Sequence, residues 1–139
     1  MSLFSAMNIS AGGLTAERRR FEVAYVNMIN SSTTRTPEGG PYRRKDVVFQ
    51  TTTFDGVMQE ADGRLQGVEV AGVVDDMSPF ERVYDPGHPD AVDDYVSYPN
   101  VKTSEEMMNM MAASRSYEAN IAAISILKTM INRTLDLGK

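Results

Sequence analysis

The 139-residue sequence contains no cysteine. Disulfides and thiolate metal sites are therefore excluded, and no covalent crosslink would obstruct threading of the unfolded chain through a channel. Histidine is nearly absent as well: His88, in the proline-flanked turn GHP, is the only one and has no recognisable chemical partner. No stretch of 18 apolar residues exists, so no membrane span is expected. The first residues, MSLFSAMNISAGG, lack the basic start and continuous apolar run of a cleaved signal. The expectation is a chain that either stays in the cytoplasm or leaves by a route needing no cleaved signal. Basic residues are outnumbered 14 to 19, giving a net charge of −5, which disfavours a nucleic-acid interface. Part of that deficit is local. Residues 85–94, DPGHPDAVDD, hold four acids and no Lys or Arg, and read as a solvated loop.

Catalytic patterns are missing too. The glycine pair at 39–40 lacks the strand–GxGxxG–helix setting and the Lys-Ser/Thr of a phosphate loop, and reads as turn chemistry. The serines of SAGG and SRSY have no nucleophile-elbow context. Asp75-Asp76 and Asp93-Asp94 are acid pairs with nothing to place them in a pocket. The sequence predicts no enzyme, no cofactor and no metal site.

What is present is helical periodicity at both ends. Met7, Leu14, Phe21 and Met28 fall seven apart, with Leu3, Ala11 and Tyr25 widening the face. This predicts a helix over roughly residues 3–30, about 40 Å long. Arg18, Arg19 and Arg20 read as a solvated face, with Glu22 four residues after Arg18. Gly12 and Gly13 interrupt the pattern at about 1 kcal/mol each relative to Ala. Either the first dozen residues are disordered in the free chain, or the glycines let another backbone approach closely.

At the other end, Tyr117, Ile124 and Ile131 repeat the sevenfold spacing, with Ile121 and Leu127 beside them. Thr103-Ser104-Glu105-Glu106 reads as a capping box with Thr103 at the cap. The helix is expected to run to about Leu135 and end near Gly138. Met107, Met108, Met110 and Met111 crowd its start. They read as core filler, with an adaptable subunit contact as the alternative.

Between the helices, NSSTTRTPEGGP breaks the pattern. KDVVFQTTTF and LQGVEVAGVV alternate like strands and flank a hairpin signal at Asp62-Gly63. FERVY and YVSYP are shorter candidates. The fold class that results is mainly α with a small antiparallel β insertion. The N-terminal helix (1–34) and C-terminal helix (103–139) pair as a coiled coil around the insertion (35–102), all in one structural unit. Ala119, Ala122, Ala123, Ile126 and Met130 exceed that seam, and the surplus points to neighbouring subunits. The candidate assembly interface is Met7, Leu14, Phe21, Met28, Tyr117, Ile121, Ile124, Leu127 and Ile131.

The segments GGPYRR followed by VVF, then VYDPGHPDA, YVSYPNV and SRSYEANI, resemble the flagellar rod and hook axial protein family, and within it the proximal-rod subunits, over essentially the full length. The family's Asn-hydrophobic-Ala-Asn-x-x-T segment reads NMINSSTT here, with Asn27 and Asn30 in place and Ile29 at the alanine position. The resemblance implies a structural subunit of the basal-body rod whose terminal helices build the tubular drive shaft around the export channel. It further implies as partners other copies of the chain, the rod subunits FlgB, FlgF and FlgG, the rod-base adaptor FliE and the flagellar type III export apparatus. The implied destination is the periplasmic rod, reached without a cleaved signal peptide. The competing reading is a cytoplasmic helical adaptor or chaperone-like binding module.

Overall fold

A computed structural model describes residues 3–53 and 66–138. Its elements are α1 (Leu3–Ile29), β1 (Lys45–Thr53), β2 (Gln66–Asp75), β3 (Glu81–Tyr84), β4 (Tyr95–Tyr98) and α2 (Thr103–Leu137). Two long helices thus bracket a small antiparallel insertion, as the periodicity predicts, and all four strand-like runs form strands. The Asp62-Gly63 turn lies outside the described residues. The strands flanking it pair antiparallel, Lys45 opposite Asp75 and Thr53 opposite Gln66. Val48 faces Gly72 while Phe49 faces Val70, so Ala71 is the extra residue of a bulge. A second ladder joins β3 to β4, and Tyr84 meets Tyr95 edge-on at 5.4 Å between ring centres.

The turn expected at the glycine pair is present. Gly39 and Gly40 adopt φ of 91° and 75°, a region that favours glycine, and the Thr36 N–H donates to the Gly40 carbonyl.

α1 and α2 pair in antiparallel fashion. Asn27 meets Glu106, Arg20 meets Asn109, and Gly13 lies against Asn120. Extending this register brings Leu3 to about the level of Met130, so the last turns of α2 project past the described start of α1. The seam is built from small side chains: Gly13, Ala16, Ala24 and Ala113 are all buried. Small residues let the helix axes come close. They also leave the larger heptad residues flanking the seam rather than filling it.

The start of α2 differs from the expected capping box. Thr103 is the first helical residue, the cap position is Lys102, and no side chain caps it. Glu106 is turned inward instead and is 1% exposed. The three arginines also divide. Arg18 and Arg19 both reach Glu22, at 3.0 and 3.3 Å, on the outer face. Arg20 crosses to Asn109 of α2 at 3.3 Å.

The hairpin β1–β2 packs along α1 rather than standing clear of it. The two glycines explain how α1 serves both neighbours. Successive helical residues point about 100° apart. A Cβ on Gly12 would lie 2.9 Å from the Val68 carbonyl oxygen of β2, and one on Gly13 would lie 2.9 Å from the Asn120 amide of α2. Of the two alternatives raised by the sequence, close backbone approach is seen at Gly12, where the backbone belongs to the same chain, while at Gly13 the close neighbour is a side chain. The two positions should therefore respond differently to alanine. At Gly13 the obstacle is a side-chain amide that can rotate, and the helix-propensity gain of about 1 kcal/mol offsets the crowding. At Gly12 the obstacle is strand backbone, and overpacking costs about 1–3 kcal/mol. Thermal melts should place Gly12→Ala clearly below Gly13→Ala; the reverse order would show that the hairpin does not rest on α1 at this point.

Candidate assembly surface

The helix pair meets the insertion at a buried polar cluster. Asn27, fully buried on α1, uses both ends of its amide. Its Nδ2 donates to the Lys45 carbonyl at 2.7 Å and to Glu106 Oε2 at 3.1 Å. Its Oδ1 accepts from the Lys45 N–H and the Tyr42 hydroxyl, each at 2.9 Å. Glu106 Oε1 accepts from Arg44 Nε at 2.7 Å. Arg44 Nη1 reaches Asp46 and Asp76, and its backbone N–H donates to Asn100 Oδ1 at 2.8 Å. One cluster thus ties the end of α1, the start of β1, the loop after β2 and the first turn of α2.

The electrostatics follow from this geometry. Burial works against the Arg44 charge, but the hydrogen bond and charge of Glu106, followed by those of Asp46, outweigh it and hold the guanidinium protonated above its ordinary value. Burial, then the charges of Asp75 and Glu106, push the Tyr42 phenol up. The hydroxyl and backbone N–H of Ser78 hold the Asp76 carboxyl below its usual value. A buried ion pair contributes little net stability when intact, but losing one partner strands the other.

The sequence did not point to this cluster. In the sequence, Asn27 reads only as part of a family segment, and Glu106 as a capping-box partner of Thr103. The available signal was positional: Asn27 stands three residues after Ala24, on the small-residue face of α1.

The expected interface residues fall into two groups. Met7, Leu14, Met28, Ile124, Leu127 and Ile131 are half-buried along the helix pair. Phe21, Tyr117 and Ile121 are open to solvent at 38%, 36% and 48%. The methionines at the start of α2 are not core filler. Met107, Met108 and Met111 are exposed and Met110 half-buried, because Glu106 and Ala113 occupy the seam there. Further along, Ile126 is 62% exposed, and Met130, Leu135 and Leu137 are also exposed. Among the described residues the only apolar side chains buried outright are Ala16, Ala24, Val96, Pro99 and Ala113. More large apolar side chains therefore face outward than inward, and contiguous exposed apolar surface marks interaction sites.

His88 serves its own loop. Its Nδ1 accepts the Asp90 N–H at 3.1 Å. The acidic loop is tied to the segment after α1 by Thr34, which donates to Asp90 at 2.8 Å, and by Arg35 at 3.7 Å. No helix among the described residues is long and apolar enough to cross a membrane.

Known proteins are similar to this chain in sequence. Residues 92–137 match the family described as flagellar basal body rod FlgEFG protein C-terminal. The chain is 42% identical to the flagellar basal-body rod protein FlgC of Borreliella burgdorferi, over 97% of each chain. It is 41% identical to that of Salmonella typhimurium and 38% identical to that of Bacillus subtilis, in both cases over the whole of each chain. Likeness of this degree along the full length makes the chain a member of the FlgC family of flagellar basal-body rod proteins.

Proposed function

We propose that the chain is a structural subunit of the proximal rod, without enzymatic activity, assembling with copies of itself and with other rod components. The terminal segments 1–34 and 103–139 form the wall of a tube around the export channel, and the insertion 35–102 lies outside it. The subunit transmits torque as part of the drive shaft. It reaches the periplasm through the flagellar type III export apparatus without a cleaved signal, and meets FlgB, FlgF, FlgG and FliE there. Phe21, Tyr117 and Ile121 belong to the contact surface, while the half-buried stripe residues hold the helix pair that presents it. The observation that carries this reading is the row of large apolar side chains left outside a helix pair whose seam is glycine and alanine.

Ile126→Glu tests it. Ile126 lies on the side of α2 away from α1, so the free chain should keep its melting temperature within the small range of surface substitutions, about ±0.5 kcal/mol. In a strain carrying only this variant, basal bodies should be lost and swimming with them. Normal basal bodies would sink the claim that this face is buried in the assembly. Fractionation separates the adaptor reading, which requires the chain to remain in the cytoplasmic fraction and away from purified basal bodies.

A further inference from the structure

The groove between α1 and α2 holds a group that the helix pairing does not satisfy. Phe21 and Tyr117 line it together with Glu17, Ser114 and Arg18, whose guanidinium is engaged by Glu22 at 3.0 Å. Glu17 Oε2 is buried and accepts no hydrogen bond; the nearest cation, Arg20 Nη1, stands 3.8 Å away, and Arg20 Nη2 is committed to Asn109. A buried carboxylate oxygen is normally matched by a donor. A carboxylate beside two half-exposed aromatic rings fits a guanidinium, which supplies charge, in-plane N–H donors and flat faces for stacking.

The same chain carries such a group on another face. Met108, Met111, Arg115 and Ile126 share the side of α2 turned away from α1, and all four are exposed. Arg115 has no hydrogen-bond or ion-pair partner among the described residues. It lies within one turn of Tyr117, so groove and arginine stand at the same level of the helix pair. Two outward faces meeting each other would set Arg115 against its own counterpart or against Arg133, which like charge opposes.

We propose that Arg115 of one copy enters the Glu17 groove of a second copy, with Met108 and Met111 packing against Phe21 and Tyr117. This rests on the rod-subunit reading above. The two patches differ, so the contact is heterologous and propagates from copy to copy rather than closing in a symmetric pair.

Charge reversal tests the pairing in a strain whose only copy carries the variant, with the yield of isolated basal bodies as the readout. Arg115→Glu and Glu17→Arg should each lower that yield at least about tenfold, the scale of one lost charge-assisted contact. The double variant should recover to within about threefold of wild type. A normal yield from either single variant, or a double variant as defective as the singles, overturns the pairing. Glu17→Arg stands beside Arg18 and Arg20, so melts of the purified variants are measured in parallel. Glu17→Gln keeps the size and should lower the yield severalfold at an unchanged melt; a normal yield there also overturns the pairing. A strain lacking the gene that still builds normal basal bodies would fail the rod reading itself, and the pairing with it.

Discussion

Glu106→Ala is expected to lower stability by about 3–5 kcal/mol, the cost of breaking a buried ion pair from one side. Arg44, whose side chain is 15% exposed, loses the carboxylate that faces its Nε and retains only the outer contacts to Asp46 and Asp76. Asn27 Nδ2 keeps its bond to the Lys45 carbonyl but loses the one to α2. Against a net stability of about 5–15 kcal/mol for a domain, the melting temperature should fall by roughly 10 °C or more. Glu106→Gln, which preserves shape and hydrogen-bonding capacity, should lose about half as much. Adding Arg44→Ala to Glu106→Ala should cost little further, because the two act as one unit. Far-UV circular dichroism melts of wild type, the two Glu106 variants, Arg44→Ala alone and the double variant suffice. Full additivity of the two alanine variants would mean that the pair is not coupled.

Asn27→Asp is the second large effect, and it has a characteristic pH dependence. The amide Nδ2 now donates to two acceptors, the Lys45 carbonyl and Glu106 Oε2. A carboxylate in its place would present lone pairs to both, one of them on an ionised acid. Two carboxylates sharing one buried site cannot both ionise cheaply, so the pKa of one rises. A raised folded value means that the penalty is absent below the ordinary carboxylate pKa and grows as pH rises above it. The wild-type Asp76 has the opposite sign. Its lowered carboxyl pKa contributes stability above the ordinary value and loses it as pH falls toward the folded one. The variant should therefore lose about 3–5 kcal/mol at neutral pH and close much of the gap to wild type near pH about 4. A gap independent of pH would assign the loss to packing rather than to charge.

Much of this architecture was legible because it depends on periodicity. Sevenfold spacing located both helices, and alternation located the four strands. What the pattern misjudged was which side of each helix meets the other. Hydrophobic spacing weights large side chains, and here the seam is filled by Gly13, Ala16, Ala24 and Ala113, which carry little weight. Phe21 and Tyr117 were legible as apolar heptad residues but stand at the rim of a groove. The polar cluster was invisible for a different reason. Asn27, Arg44 and Glu106 come from three separate stretches, and nothing local in any of them announces the other two. Glu106 even carried a competing local explanation as a capping residue. The doubled glycine was legible as an anomaly, though not the identity of the two neighbours that it admits.

The cluster also constrains when the fold can close. Its bonds span 79 residues between Asn27 and Glu106 and 62 between Arg44 and Glu106. Contacts of such separation form late, after the intervening chain has paid its loop-closure entropy. Until Glu106 arrives, Arg44 has only its outer contacts to Asp46 and Asp76, and Asn27 only its bonds to Lys45 and Tyr42, so α1 and the hairpin are held by part of the cluster alone. In any vectorial process that delivers the N-terminus first, the cluster stays incomplete until the start of α2 has emerged. Closure of the cluster is then timed by one carboxylate at the start of α2 rather than by the last residue of the chain.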